Sequence, residues 1–170
     1  MPKVINNENH DICKDCGGKC CKRMGGFLHP NDIAVFDESH IREMLDSGRY
    51  SIDWVEPYGD IPIDDYVYFL RFRHVGAFRV DPSFGGRCVM LTDEGCSLPF
   101  EERAYGCKVL TPNSEGKCYD AYFKDQVAKD WNKPEYQSIM SKLRHELEEP
   151  INDILRTLLS ELGGIDITDH

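Results

Sequence analysis

Eight cysteines carry most of the chemistry available to this chain, and their spacing splits them into two groups of four: Cys13-x2-Cys16-x3-Cys20-Cys21 and Cys88-x7-Cys96-x10-Cys107-x10-Cys118. Two residues between cysteines is the spacing of a knuckle in which both thiolates face one ion. Thiolates are soft donors that select zinc, copper(I) or iron–sulfur clusters over magnesium or calcium. Lys14, Lys19, Lys22, Arg23 and Arg87 stand beside these groups, local basicity that would help hold thiolate charge. The first group sits among Gly17, Gly18, Gly25 and Gly26, which supply the backbone freedom needed to wrap an ion. All eight cysteines are candidate metal ligands. The spacing leaves open two four-thiolate sites or one cluster with spare thiols.

The adjacent pair Cys20-Cys21 allows two arrangements. In extended backbone neighbouring side chains point to opposite faces and would serve different metals, or one would ligate while the other supports it. In a folded-back turn both reach one polynuclear cluster. Two competing readings are weaker. A redox Cys-x-x-Cys or a pair of disulfides requires a thioredoxin-like βαβ pattern or an oxidising compartment. Simple burial as small hydrophobes conflicts with the charged, glycine-rich neighbours of Cys13 to Cys21.

Other residue types add less. His10 and His29 flank the first group and are possible extra ligands; with His40, His74, His145 and His170 they read more plainly as surface or capping residues. Asp64-Asp65, Glu101-Glu102 and Glu148-Glu149 are paired acids best read as solvated faces, since acid–base work needs a cleft and shifted pKa values. Arg71, Arg73 and Arg79, with Tyr66, Tyr68 and Phe72, could line an anionic pocket, though the polar face of a half-buried strand is the plainer reading. No nucleophile elbow, phosphate loop or His-Glu-x-x-His helix occurs. No catalytic residue is assigned.

Cys13-Lys-Asp-Cys16-Gly-Gly-Lys-Cys20-Cys21 resembles the signature of the YkgJ-like cysteine-cluster family, a zinc- or iron-chelating domain. The run from Gly86-Arg-Cys88 through Gly95-Cys96 and Arg103-Ala-Tyr-Gly-Cys107 is similar to that family's downstream block. The likeness spans about residues 13–110, with an unmatched middle. Three residues precede the cysteine pair where the family often has two, Arg103-Ala104 replaces an Arg-Pro, and Cys118 falls outside the core signature. The resemblance implies metal chelation, by zinc or by an iron–sulfur cluster. A flagellin lysine methylase with a similar motif makes an iron–sulfur enzyme that modifies a protein side chain (lysine N-methylase-like) an alternative, although no glycine-rich cofactor loop follows a strand. A zinc-stapled structural or interaction module is the third reading.

The surrounding pattern indicates what must position the thiols. Pro30 opens a short helix through Asp32, Ile33, Val35 and Phe36. A second helix is predicted from an N-cap at Ser39 through Ile41, Met44 and Leu45 to Gly48. Tyr50 to Trp54 reads as extended, and Tyr66 to Arg73, rich in aromatic and β-branched residues, is the clearest strand. Asp81-Pro-Ser-Phe-Gly-Gly reads as a turn, 87–118 as short strands and loops, and 120–131 as a short helix. From Pro134, the residues Ile139, Leu143, Leu147, Ile151, Ile154, Leu158 and Leu162 repeat at helical spacing, widened by Leu155 and Leu159, until Gly163-Gly164. Pro150 should kink or split this helix. The expected architecture is a small, irregular, metal-stapled α+β domain with short helices, a few strands and a C-terminal helical arm. It divides into a cysteine-cluster domain over 1–131 and an amphipathic helix over 132–164.

Composition bounds the partners. The chain has 170 residues, 41% of them hydrophobic, enough for a core without staples. A net charge of −10 disfavours nucleic acid and anionic membrane surfaces. No apolar stretch reaches the roughly 18 residues of a membrane span, and the first residues lack a secretory h-region, so a cytoplasmic location is expected. The C-terminal apolar stripe leaves room for a homodimer seam.

Overall fold

The computed structural model describes residues 15–56, 66–81, 85–112, 118–119, 122 and 124–161, with backbone alone for 111–112, 118–119 and 148–161. Cys13, His10, His170, Asp64-Asp65, the centre of the turn at 82–84 and Leu162 lie outside the described residues, as do the side chains of Cys118 and Glu148-Glu149.

The core forms around one antiparallel pair, β1 (Tyr50–Val55) and β2 (Val67–Phe72), in register from Tyr50 opposite Phe72 to Val55 opposite Val67. Five of the six β2 residues are buried because the pair is covered on both faces. On one side lies α1 (Glu38–Asp46), which buries Ile41 and Leu45, four residues apart on one face. Its N-cap is Asp37, whose carboxylate accepts from the His40 N–H at 2.8 Å, rather than Ser39. The carboxylate one residue before the helix satisfies an orphan donor, and Ser39 falls within the first turn. Pro30 opens only a single 3-10 turn, Pro30–Asp32, closed by a capping box between His29 and Asp32.

Three shorter elements follow: the hairpin β3 (Leu91–Thr92) and β4 (Gly95–Cys96), the helix α2 (Tyr105–Val109), and the pair β5 (Thr111–Pro112) and β6 (Cys118–Tyr119). Then α3 (Lys124–Trp131) brings fully buried Trp131 against the core, its indole N–H donating to the Leu28 carbonyl at 2.8 Å.

The final helix, α4 (Pro134–Glu161), is one element and is not split at Pro150. A proline removes a single i to i−4 hydrogen bond, and the remaining backbone bonds of a long helix carry it across. Met140, Leu143 and Leu147 are buried against the core. The Gln137 side chain acts as an extra peptide on the free end of β2: its amide oxygen accepts from Tyr68 N–H at 2.9 Å and its amide nitrogen donates to Tyr68 C=O at 2.8 Å. Short helices, small antiparallel pairs and a C-terminal helix make this an α+β domain, as expected. Among the described residues no helix is long and apolar enough to cross a membrane.

Candidate metal centre

The two cysteine groups are sixty-six residues apart in sequence, and β2 is what joins them. The segment after Cys21 runs along one edge of β2: Leu28 N–H donates to Leu70 C=O at 2.9 Å, and Phe72 N–H to Gly26 C=O at 3.0 Å. The chain leaving β2 then pairs with the second group, with His74 opposite Cys88 and Val89 N–H donating to Arg73 C=O at 3.0 Å. The groups meet directly where Cys88 N–H donates to Cys21 C=O at 2.7 Å. Gly106 N–H donates to Phe27 C=O at 3.0 Å and seats α2, which carries Cys107, on the same edge.

These contacts converge on one cavity of about 690 Å³ whose walls include Cys20, Cys21, Cys96 and Cys107, with Gly17, Gly18, Gly26 and Gly106 between them. Cys88 is buried beside these thiols. Cys20 and Cys21 occupy a turn closed by Arg23 N–H and Met24 N–H on Cys20 C=O, both at 3.0 Å. Their sulfurs are 3.9 Å apart. The adjacent pair is folded back in a turn, and both residues line the cavity. Cys16 is half-buried and does not line the cavity.

The glycines are required by close approach. A Cβ on Gly26 would stand 2.0 Å from Cys107 Sγ, and one on Gly18 would stand 2.9 Å from Leu91 Cδ1. Gly18 also has φ +71°, a left-handed conformation that other residues adopt at a cost.

Electrostatics within the cluster is dominated by burial and by thiol on thiol. The hydrogen bond from Cys21 holds Cys20 below the ordinary thiol range, and the same bond, then burial and the charges of Cys20, Cys107 and Cys88, pushes Cys21 up. Burial raises Cys88, with Cys96 adding to it. Burial pushes Cys107 up to about 12, helped by Cys88, Cys96 and Cys20. The cations that oppose this are Arg71 near Cys88 and Arg103 near Cys107. Lys19, Lys22, Arg23 and Arg87, expected from sequence to hold the thiolate charge, are all exposed. Lys14 lies outside the described residues.

A thiophilic metal fits this donor set. Several buried or half-buried thiols in mutual repulsion resist ionising together without a bound cation, and a coordinating metal deprotonates them outright. Among the described residues no three His, Cys, Asp or Glu side chains already stand close enough to hold one ion. The thiols share a cavity rather than a single point.

Other residues singled out in the sequence have structural roles. Arg71, at 0% exposure, pairs with Asp53 and Asp81 inside the core rather than lining an anionic pocket. Arg73 donates to the carbonyls of Leu45 and Tyr50, and Arg79 pairs with Asp46. A buried strand with an arginine in it requires such partners, because an uncompensated charge in the core is far costlier than a paired one. His29 accepts from Asn31 N–H and lies 3.5 Å from Asp130, a capping role as expected. His74 is buried, not a surface residue, because the strand extension that carries it is sandwiched between both cysteine segments. Glu101-Glu102 is exposed in a 3-10 turn.

A family profile described as "CxxCxxCC: Putative zinc- or iron-chelating domain" matches residues 12–136. The chain belongs to this family. The matched span runs from just before Cys13, through both cysteine groups and α3, into the first residues of α4. No curated protein and no solved structure matches the chain.

Proposed function

We propose that the chain binds zinc or iron through cysteine thiolates in the cavity between its two cysteine groups. The observation that carries this is the convergence of Cys20, Cys21, Cys96 and Cys107, drawn from separate segments, on one glycine-walled cavity, with Cys88 buried beside them. Five thiols exceed the four of one tetrahedral ion. A centre with more than one metal, an iron–sulfur cluster included, uses the surplus, and Cys13, Cys16 and Cys118 complete the candidate set.

The test is a zinc titration of metal-free protein in weakly buffered solution, with proton release recorded. Raised thiol pKa values mean that Cys21, Cys88 and Cys107 are protonated at pH 7 and must lose their protons on binding. Binding is expected to release more than one proton per ion and to tighten as pH rises. Cys107→Ser is expected to weaken it at least about 10-fold, the order of loss seen for groups that support a metal site. A folded chain that takes up no zinc or iron, or binds without proton release, contradicts the proposal.

A second reading is an iron–sulfur enzyme that modifies a protein side chain, lysine N-methylase-like. One observation favours it over a sealed staple: the cavity extends past the thiols to Met24, Leu91, Leu110 and Arg103, leaving room for a ligand. Its test is anaerobic reconstitution with iron and sulfide, then mass spectrometry of a lysine-bearing protein incubated with a sulfonium methyl donor. A gain of one methyl group on lysine supports it, and an unchanged mass removes it.

A further inference from the structure

A buried polar chain lies behind the thiol cavity, and coordination does not itself use it. It begins at Asp53, whose carboxylate accepts from Arg71 Nε at 2.8 Å. Arg71 also pairs with the Asp81 carboxylate. That carboxylate stands 3.7 Å from Nδ1 of His74. The opposite ring nitrogen, Nε2, accepts a buried hydrogen bond from the backbone N–H of Gly25 at 3.1 Å. An accepting Nε2 places the ring's proton on Nδ1, towards Asp81, and makes the imidazole neutral.

The ring has little freedom. A Cβ on Gly86 would come within 3.0 Å of His74 Cβ and Cγ, and a Cβ on Gly25 would come within 2.0 Å of the Phe72 carbonyl oxygen. The bond it makes falls at the junction of the thiol segments. Gly25 precedes Gly26, which is packed under Cys107; His74 itself sits opposite Cys88, and Cys88 is bonded to Cys21. A buried histidine held only by core packing has no need of an acceptor aimed at a loop amide. Here the acceptor replaces a missing ladder bond at the point where the first cysteine segment leaves the edge of β2.

We propose that His74 is a positioning residue for the thiol centre: its imidazole, oriented by Asp81 and Arg71, holds the Gly25-Gly26 segment so that Cys20, Cys21 and Cys107 face one cavity with Cys88 beside it. This rests on the metal-centre reading above. Partners of this kind, one shell behind the ligands, typically change metal affinity about 10- to 100-fold when removed.

The test compares His74→Phe, which keeps a ring and removes the acceptor, with His74→Gln, which places an amide oxygen near the position of Nε2. Each is measured beside the parent chain in two ways: zinc competition against a chromophoric chelator, and alkylation rates of the metal-free thiols, resolved by mass spectrometry. His74→Phe is expected to bind zinc about 10- to 100-fold more weakly and to expose Cys88 and Cys107 to faster alkylation, with unchanged far-UV circular dichroism. His74→Gln is expected to recover most of both. Equal loss in the two variants, or no change in either readout, overturns the role. Should His74→Phe not fold, Asp81→Asn is the substitute, with a several-fold weakening expected and parental affinity overturning the role. A parent chain that binds neither zinc nor iron removes the metal reading, and the alkylation rates still decide what His74 does.

Discussion

At the scale of single residues, the site depends as much on absent side chains as on the thiols. Gly26 has no left-handed backbone requirement, so its identity is explained by Cys107 Sγ alone. Gly26→Ala is expected to displace Cys107 and weaken zinc binding at least about 10-fold. Gly48 is the control, since it has φ +77° and open space around it. Gly48→Ala is expected to lower stability by about 1–2 kcal/mol through backbone strain and to leave zinc affinity unchanged. Chelator competition and urea unfolding of both variants separate the two effects, and equal zinc affinity in Gly26→Ala and the parent would remove the close-packing account. The cysteines were legible in the sequence because thiol spacing is a chemical signal in itself. The positions of His74 and the Gly26 contact were not, because their roles arise from non-local pairing. Gly25-Gly26, four and five residues past Cys21, and Gly106 beside Cys107 are the signals from which close approach could have been read. Proximity in sequence was an uneven guide: Lys19, Lys22, Arg23 and Arg87 are exposed, Arg103 does act on Cys107 four residues on, and Arg71 comes to Cys88 from β2.

At the scale of elements, β2 is the part on which the site is assembled. It carries β1 on one edge and the Gly26–Leu28 segment on the other, and its extension receives Cys88. The helices hold this arrangement from behind: Trp131 from α3 bonds Leu28, and α4 packs Met140, Leu143 and Leu147 into the core. Leu143 is fully buried, so Leu143→Ala is expected to cost about 2–5 kcal/mol, read from the urea midpoint. The metal-loaded protein should retain its zinc stoichiometry under native conditions. Loss of less than about 1 kcal/mol would mean that α4 is not part of the core that supports β2. The strands and the long helix were readable from periodicity, β-branched content and the Pro134 start. The caps were less so, because Asp37 and Ser39 are both good N-cap residues two positions apart. Of the kink or split that Pro150 suggests on local grounds, the split does not occur, and the helix is continuous from Pro134 to Glu161.

At the scale of the whole molecule, one domain-sized fold brings two distant cysteine groups into contact and leaves a cavity between them. An acidic chain, at −10 overall, keeps its thiols in a pocket where the opposing cations are few and buried or half-buried. A bound metal cation is the group that relieves that repulsion. Membership of a zinc- or iron-chelating family was legible from the cysteine signature and the block after Cys88. The shared cavity was not, because nothing in the spacing says whether two groups of four form one centre or two. The most direct measurement is elemental analysis of zinc, iron and sulfide, with a visible spectrum, on protein purified without oxygen. At least one equivalent of zinc or iron per chain is expected, colourless if zinc and brown with matching sulfide if a cluster, and lost when Cys20 and Cys107 are both replaced by serine. A folded chain with neither metal and fully titratable thiols would contradict the account.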